Sequence, residues 1–336
     1  MKNSEFKVAI LDDFEKLADT IPAYEKLRER AQVTILRKRL ATSDQIVEAL
    51  RDFDAILLMR ERTSLSDKEY AQLPKLKLIS QTGRTSKHLD IANATERGIA
   101  VSSTPPENGI VTTELTIGLI LALLRRIPQV NLRMREEAWP AIAGNSLQGK
   151  TVGVFGFGRI GREVARIIKA FPNSRVLGYS RSLTAARAAE VGAECVAFEN
   201  LLRESDIITV HINFNEQTRS AIGAKEFKMM KRGALLVNTS RGPIISEAAM
   251  IAALESGQLG GVGLDVYDIE PLPMDHPLRR FDNAILMSHR GYATVEVMSE
   301  RYQQAMENIL NYLDGKPLTL INPMSNSARA INFQCS

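Results

Sequence analysis

Side chains suited to acid–base and anion chemistry follow three apolar, strand-like runs. His289 stands in AILMSHRGYAT, after AILM and among small residues. Of the four histidines it is the best candidate for a general acid or base near neutral pH. His88 and His276 sit in the polar contexts SKHLDI and MDHPLRR, where ordinary loop roles suffice. His211 ends DIITVHI, a position that suits a structural role or the edge of a cofactor. Arg241 comes just past ALLVN, and Asp265 and Glu270 lie in GVGLDVYDIEP. Singly, a surface ion pair accounts for the arginine and solvation for the acids. Jointly they form a usable set: an arginine can grip a carboxylate bidentately, and a carboxylate beside a histidine raises the imidazole pKa.

That set needs a partner reagent, and VGVFGFGRIGREVA (Val152 to Ala165) points to one. Gly156, Gly158 and Gly161 follow the G-x-G-x-x-G spacing, between the strand-like KTVGVF and the amphipathic RIGREVARIIKAF. The first glycine permits a tight turn, the second lets backbone reach a pyrophosphate, and the third lets helix and strand pack closely. The free N–H groups and dipole of the helix start favour phosphate. In LGYSRS, Ser180 occupies the place of the acidic residue that would hold both ribose hydroxyls of NAD, and Arg181 and Ser182 follow. A guanidinium with no carboxylate beside it favours NADP. NAD remains open if Ser180 meets the ribose and Arg181 is merely solvated.

These residues need a frame, and the pattern around them supplies it. Short apolar runs (FKVAIL, VTILR, AILLM, LKLISQ, IAVSSTP) alternate with helical segments up to Pro105 and Pro106. A long apolar helix is expected from Glu107 to about Arg126, then an irregular arm containing the only tryptophan, Trp139. The glycine motif opens a second strand–helix series, and an amphipathic helix from about Thr294 to Asp314 closes the pattern. Such alternation predicts parallel sheets covered by helices, in two α/β units.

Composition narrows the classes. A chain of 336 residues with 44% hydrophobic and 24% charged residues is that of an ordinary globular protein. The net charge of +4 comes from interspersed Lys and Arg, which offers no block for nucleic acid. Two distant cysteines, Cys195 and Cys335, argue against a disulfide frame or a zinc site and suit a reducing compartment, so the cytoplasm is expected. The most apolar stretch, ELTIGLILALL, is about half a membrane span, so no membrane association is expected.

The segments VGVFGFGRIG, LLVNTSRGPII, GLDVYDIEPLP and SHRGYAT, with TTELTIGLILALLRR, resemble the signature stretches of the D-isomer-specific 2-hydroxyacid dehydrogenase family. The resemblance covers nearly the whole chain. It implies Rossmann-like and flavodoxin-like parallel-sheet domains, the cofactor domain (107–288, with a dimerisation helix and arm) inserted in a substrate domain (1–106 and 289–336). It implies a homodimer acting on a small 2-oxo or 2-hydroxy acid, with hydride passing between nicotinamide C4 and substrate C2. Arg241 would bind the substrate carboxylate and oxo group, His289 would donate the proton, and Glu270 would keep it protonated. Asp265 would hold the carboxamide, Arg159 and Ile160 would meet the pyrophosphate, and Thr239 and Ser240 would line the cofactor, with His211 and Gly291 at its edge. Gly83 and Arg84, in the loop SQTGRTSKHLD, would meet the substrate, and Arg60 in MRERT could add a second anionic contact, as could Arg62. Departures from the usual pattern are Ser288 before the histidine, Arg290 after it, Asn213 after the VH strand, and Arg84, Thr85 and Ser86 in the loop. A nucleotide-sensing scaffold like the family's corepressors and a phosphite-type dehydrogenase are the alternatives.

Overall fold

The computed structural model describes residues 5–83, 87–105, 109–136 and 139–322. The chain divides into two compact units, Met1–Asn108 with Thr294–Ser336, and Gly109–Ala293. Among the described residues the first unit begins with β1 (Lys7–Leu11), α1 (Pro22–Arg30), β2 (Gln32–Leu36), α2 (Ser43–Leu50) and β3 (Ala55–Leu58). It continues through α3 (Asp67–Tyr70), β4 (Leu78–Gln81), α4 (Ile91–Glu96) and β5 (Ala100–Ser103). The strands form one sheet in the order β2-β1-β3-β4-β5, every pair parallel. Central β3 and β4 are buried at every position, as strands covered on both faces must be.

The second unit opens with α5 (Ile110–Arg125) and α6 (Ile127–Glu136). Then follow β6 (Thr151–Phe155), α7 (Arg159–Lys169), β7 (Arg175–Tyr179), α8 (Ala185–Ala189), β8 (Glu194–Cys195), α9 (Phe198–Glu204) and β9 (Ile207–Val210). It ends with α10 (Ala224–Met229), β10 (Ala234–Asn238), α11 (Glu247–Glu255), β11 (Leu259–Leu264) and β12 (Ala284–Leu286). The sheet order is β12-β11-β10-β9-β6-β7-β8, again parallel throughout. The winding reverses between β6 and β9, the point at which such sheets bind ligands beyond their carboxyl ends.

The last helix, α12 (Val295–Leu313), belongs to the first unit, where it packs on α1, β3 and β4. Ser80 donates to the Ala305 carbonyl at 2.8 Å, and the Tyr302 hydroxyl reaches Asp13 at 3.2 Å. The segment after it returns to β5, where Val101 donates to the Asn322 side chain and Ile321 donates to the Val101 carbonyl.

Three details differ from expectation. The long helix starts at Ile110, after Gly109 in the left-handed conformation (φ 84°); residues 106–108, Glu107 among them, lie outside the described residues. The first part of the expected irregular arm is α6 instead. Arg126 closes α5 with φ 52°, and Pro128 then falls in the first turn of α6, where its missing N–H costs nothing. The chain leaves the second unit after Ala293 rather than at His289, because residues 289–291 are bonded to Asp265 at the end of β11. Among the described residues no helix is long and apolar enough to cross a membrane.

Candidate active site

β10, β11 and β12 lie side by side, so Arg241, Glu270 and His289, which follow them in turn, are neighbours although 19 or more positions separate them in sequence. Asn238, the last residue of β10 and 1% exposed, shapes the first turn. Its side chain accepts from the Ser240 N–H and donates to the Arg241 carbonyl, both at 2.9 Å. The Arg241 guanidinium donates to the Ser240 carbonyl at 2.7 Å. Gly242 is obligatory, because a Cβ there would stand 2.1 Å from the Tyr267 carbonyl carbon. The Arg241 turn is thereby pressed against the loop that carries Glu270.

Glu270 and His289 form a pair. Glu270 Oε2 lies 2.6 Å from His289 Nδ1, while its Oε1 accepts from the Tyr267 N–H at 3.0 Å. Tyr267 is fixed in turn by its hydroxyl, which donates to the Met287 carbonyl at 2.7 Å. Burial alone would raise the Glu270 pKa. The His289 hydrogen bond and charge, the Tyr267 amide and the Arg241 charge outweigh that and hold it below the usual carboxylate value. A carboxylate on Nδ1 keeps the proton there and leaves Nε2 as the nitrogen able to exchange one with a substrate.

His289 has φ 55°, a left-handed conformation unusual for a residue with a Cβ. Its backbone N–H donates to the Asp265 carbonyl at 2.8 Å. The Asp265 carboxylate accepts from the Arg290 and Gly291 amides at 2.6 and 2.7 Å. Asp265 is 1% exposed, and burial raises its pKa against those two bonds. Its first effect is therefore to shape the histidine turn. A carboxylate has about four acceptor sites, so capacity for a carboxamide remains.

The glycine turn fits a dinucleotide. A Cβ on Gly156 would lie 2.5 Å from the His211 carbonyl carbon, and one on Gly161 would lie 2.0 Å from the Gly156 oxygen. Packing within the protein explains both. A Cβ on Gly158 would meet nothing within 4 Å, and its φ of −78° suits any residue. Open space over the start of α7, beside Arg159 and Ile160, is what phosphates require. Ser180 and Ser182 flank exposed Arg181 just past β7, and the Arg181 guanidinium reaches Gln217 at 3.2 Å. His211 follows β9 with its ring 2.8 Å from Thr209 Oγ1, and burial pushes its pKa down to about 3. Thr239 Oγ1 is bonded to Thr116 at 2.9 Å and Ser240 Oγ donates to the Ile212 carbonyl, so both hydroxyls already have protein partners. Among the described residues no group of His, Cys, Asp or Glu side chains is placed to hold a metal ion.

In the first unit, Gly83 (φ 80°) follows β4 and donates its N–H to Thr104 Oγ1 at 2.8 Å. Arg60 follows β3 on the adjacent strand, also left-handed at φ 57°. Arg62 has another role: its guanidinium makes a two-point ion pair with Glu15 at 2.6 and 2.9 Å and lies over the Phe14 ring. Arg84 lies outside the described residues. His276 is paired with Glu247 at 2.9 Å. Sequence reasoning missed Asn238 and Tyr267, which position the site without any motif-like spacing of their own.

A doubly wound domain with a phosphate-ready glycine turn, and a His–Glu pair beside an arginine, define a nicotinamide-nucleotide oxidoreductase. The comparisons agree. Residues 117–291 match the family profile described as D-isomer specific 2-hydroxyacid dehydrogenase, NAD binding domain. A glyoxylate reductase of Korarchaeum cryptofilum is 33% identical, the alignment covering 92% of this chain and 95% of that one. A D-3-phosphoglycerate dehydrogenase of Bacillus subtilis is 34% identical over 88% of this chain, but only 55% of its own length is covered. A crystal structure of a phosphoglycerate oxidoreductase from Vibrio cholerae superposes with a TM-score of 0.85 at 29% identity, covering 92% of this chain and 99% of that one. The chain belongs to the D-isomer-specific 2-hydroxyacid dehydrogenase family, and is an oxidoreductase acting on CH–OH groups.

Proposed function

We propose that this protein works chiefly as a 2-oxo acid reductase, a D-2-hydroxyacid dehydrogenase run toward the hydroxy acid, with NADPH preferred over NADH. The observation that carries the reading is the Glu270–His289 pair at 2.6 Å with Arg241 at the end of the next-but-one strand. The nicotinamide nucleotide, when bound, supplies the hydride at C4. Arg241 holds the substrate carboxylate and polarises its 2-oxo group. His289 gives the Nε2 proton to the developing alkoxide, and Glu270 stabilises the imidazolium before that transfer.

The cofactor preference rests on Ser180, Arg181 and Ser182 at the end of β7. A 2′-phosphate there meets a guanidinium and two hydroxyls rather than a carboxylate. We further propose a cytoplasmic homodimer. The exposed free thiol of Cys195 suits a reducing compartment. The exposed apolar side chains Ile127, Leu132 and Met134 of α6, with Trp139 at 84% exposure, suit a subunit contact.

The test is turnover of a panel of 2-oxo acids with NADPH and with NADH, paired with fluorescence titration of each cofactor. Oxidation of NADPH by at least one 2-oxo acid is expected. No consumption of either cofactor at high enzyme concentration sinks the reductase reading. Arg181→Ala is expected to weaken NADPH by about tenfold or more and NADH little. An equal effect on both cofactors removes the phosphate argument.

A further inference from the structure

Glu247 stands six positions past Arg241, and His276 six positions past Glu270. Each therefore closes a segment that begins at a residue of the site. Glu247 is the first residue of α11, and His276 precedes the single turn Pro277–Arg280, whose Leu278 is fully buried. His276 Nδ1 accepts from the Leu278 N–H at 3.3 Å, so the ring proton lies on Nε2, which donates to Glu247 Oε1 at 2.9 Å. The His276 side chain is 13% exposed and that of Glu247 24%, so the bond is largely shielded from water. Neither segment has slack. The Pro243 and Ile244 carbonyls accept from the Ser220 and Ile222 N–H groups at 2.8 and 3.2 Å. On the other side the His276 N–H donates to the Pro273 carbonyl at 3.2 Å, and the Arg279 guanidinium donates to the Leu272 and Pro273 carbonyls at 2.9 and 2.8 Å. A constraint at His276 is thus passed along the loop to Glu270.

We infer that Glu247 and His276 are positioning residues for the reaction: their hydrogen bond clasps the segment after Arg241 to the segment after Glu270, and so fixes the arginine relative to the Glu270–His289 pair. Gly242, packed on the Tyr267 carbonyl, joins the near ends of the two segments, and the clasp joins their far ends. Two joints fix an orientation, whereas the near one alone leaves the Glu270 loop able to swing about it. Displacing a reacting group by about 1 Å costs about 100-fold in rate, so a small swing is enough to matter. The inference rests on the reductase reading, in which Arg241 and His289 act on one substrate.

The experiment measures kcat, KM, NADPH affinity and the urea midpoint in the wild type, His276→Asn, His276→Gln, Glu247→Ala and Glu247→Gln, with a 2-oxo acid that the wild type reduces. An asparagine oxygen can still accept from Leu278, but its amide is too short to reach Glu247. A glutamine amide reaches Glu247 and gives up Leu278. His276→Asn and Glu247→Ala are each expected to lower kcat by about 10- to 100-fold, with NADPH affinity within a few-fold. Combining them is expected to cost no more than either alone, since both remove one bond. His276→Gln and Glu247→Gln keep an N–H···O bond across the clasp and are expected to recover most of kcat. Glu247→Ala gives the answer if His276→Asn does not fold. Losses that multiply in the combined variant, a His276→Gln as slow as His276→Asn, or a kcat that only follows the urea midpoint overturns the clasp. If the wild type reduces no 2-oxo acid, the reductase reading falls, and nitrogen NMR of the His289 ring judges the clasp alone. A move of the neutral ring from the Nδ1–H towards the Nε2–H form in His276→Asn keeps it, because the Glu270 carboxylate has left Nδ1, and an unchanged ring rejects it.

Discussion

A carboxylate 2.6 Å from Nδ1 of an imidazole fixes which ring nitrogen holds the proton and leaves Nε2 facing outward for exchange. His289→Ala is therefore expected to lower kcat by about 100- to 10,000-fold while leaving NADPH affinity within a few-fold. Loss of cofactor binding in that variant would instead mark His289 as structural. Arg241→Lys keeps the charge and loses the fork. Its kcat/KM for 2-oxo acids is expected to fall by roughly tenfold or more, and unchanged kinetics would contradict the assigned role. The residue types were legible in sequence because each follows an apolar run. Their supports were not: Asn238 is a strand residue and Tyr267 a loop aromatic, and only their hydrogen bonds to the Ser240–Arg241 turn and to Glu270 mark them.

At the level of elements, alternating strands and helices were readable because both sheets are parallel and buried, which demands apolar runs separated by amphipathic helices. The error at α6 has a local cause. Pro128 reads as a helix breaker, yet in a first turn it is a helix starter. α3 shows a cap with a measurable consequence. Glu69 accepts from the hydroxyls of Ser43 and Ser66 and from the Ser66 N–H. Burial would raise its pKa, but these bonds overrule it and bring it down to about 2 from an ordinary 4.5. The native state then binds fewer protons than the unfolded chain between those values, so this contribution is present above about pH 4.5 and is lost as pH falls toward 2. Glu69→Gln is expected to lower stability at pH 7 by about 2–3 kcal/mol and to flatten the acid dependence below pH 4.5. Urea midpoints at pH 7 and pH 3 measure it; parallel loss in both proteins would refute the linkage.

For the whole molecule, the apolar side chains left exposed on α6 carry the assembly proposal. Leu132→Glu with Met134→Glu should convert a dimer to a monomer in light scattering without unfolding either unit, whereas an unchanged mass would rule this surface out as the contact. What the sequence by itself determined was local: strand ends, the glycine turn, the Arg, Glu and His types at those ends, and through several ordered motifs the family. The tertiary structure decided what each group meets. Arg60 and Arg62 are two positions apart and alike in sequence, but packing commits Arg62 to Glu15 and leaves Arg60 at Gly83. Arg301 comes to the same point from more than 200 residues away. A contact so distant leaves no periodic trace in the chain, because it depends on α12, the last helix of the first unit, packing on that unit's own sheet. Burial and charge environment, which set what an arginine or carboxylate can do, exist only once that packing is complete.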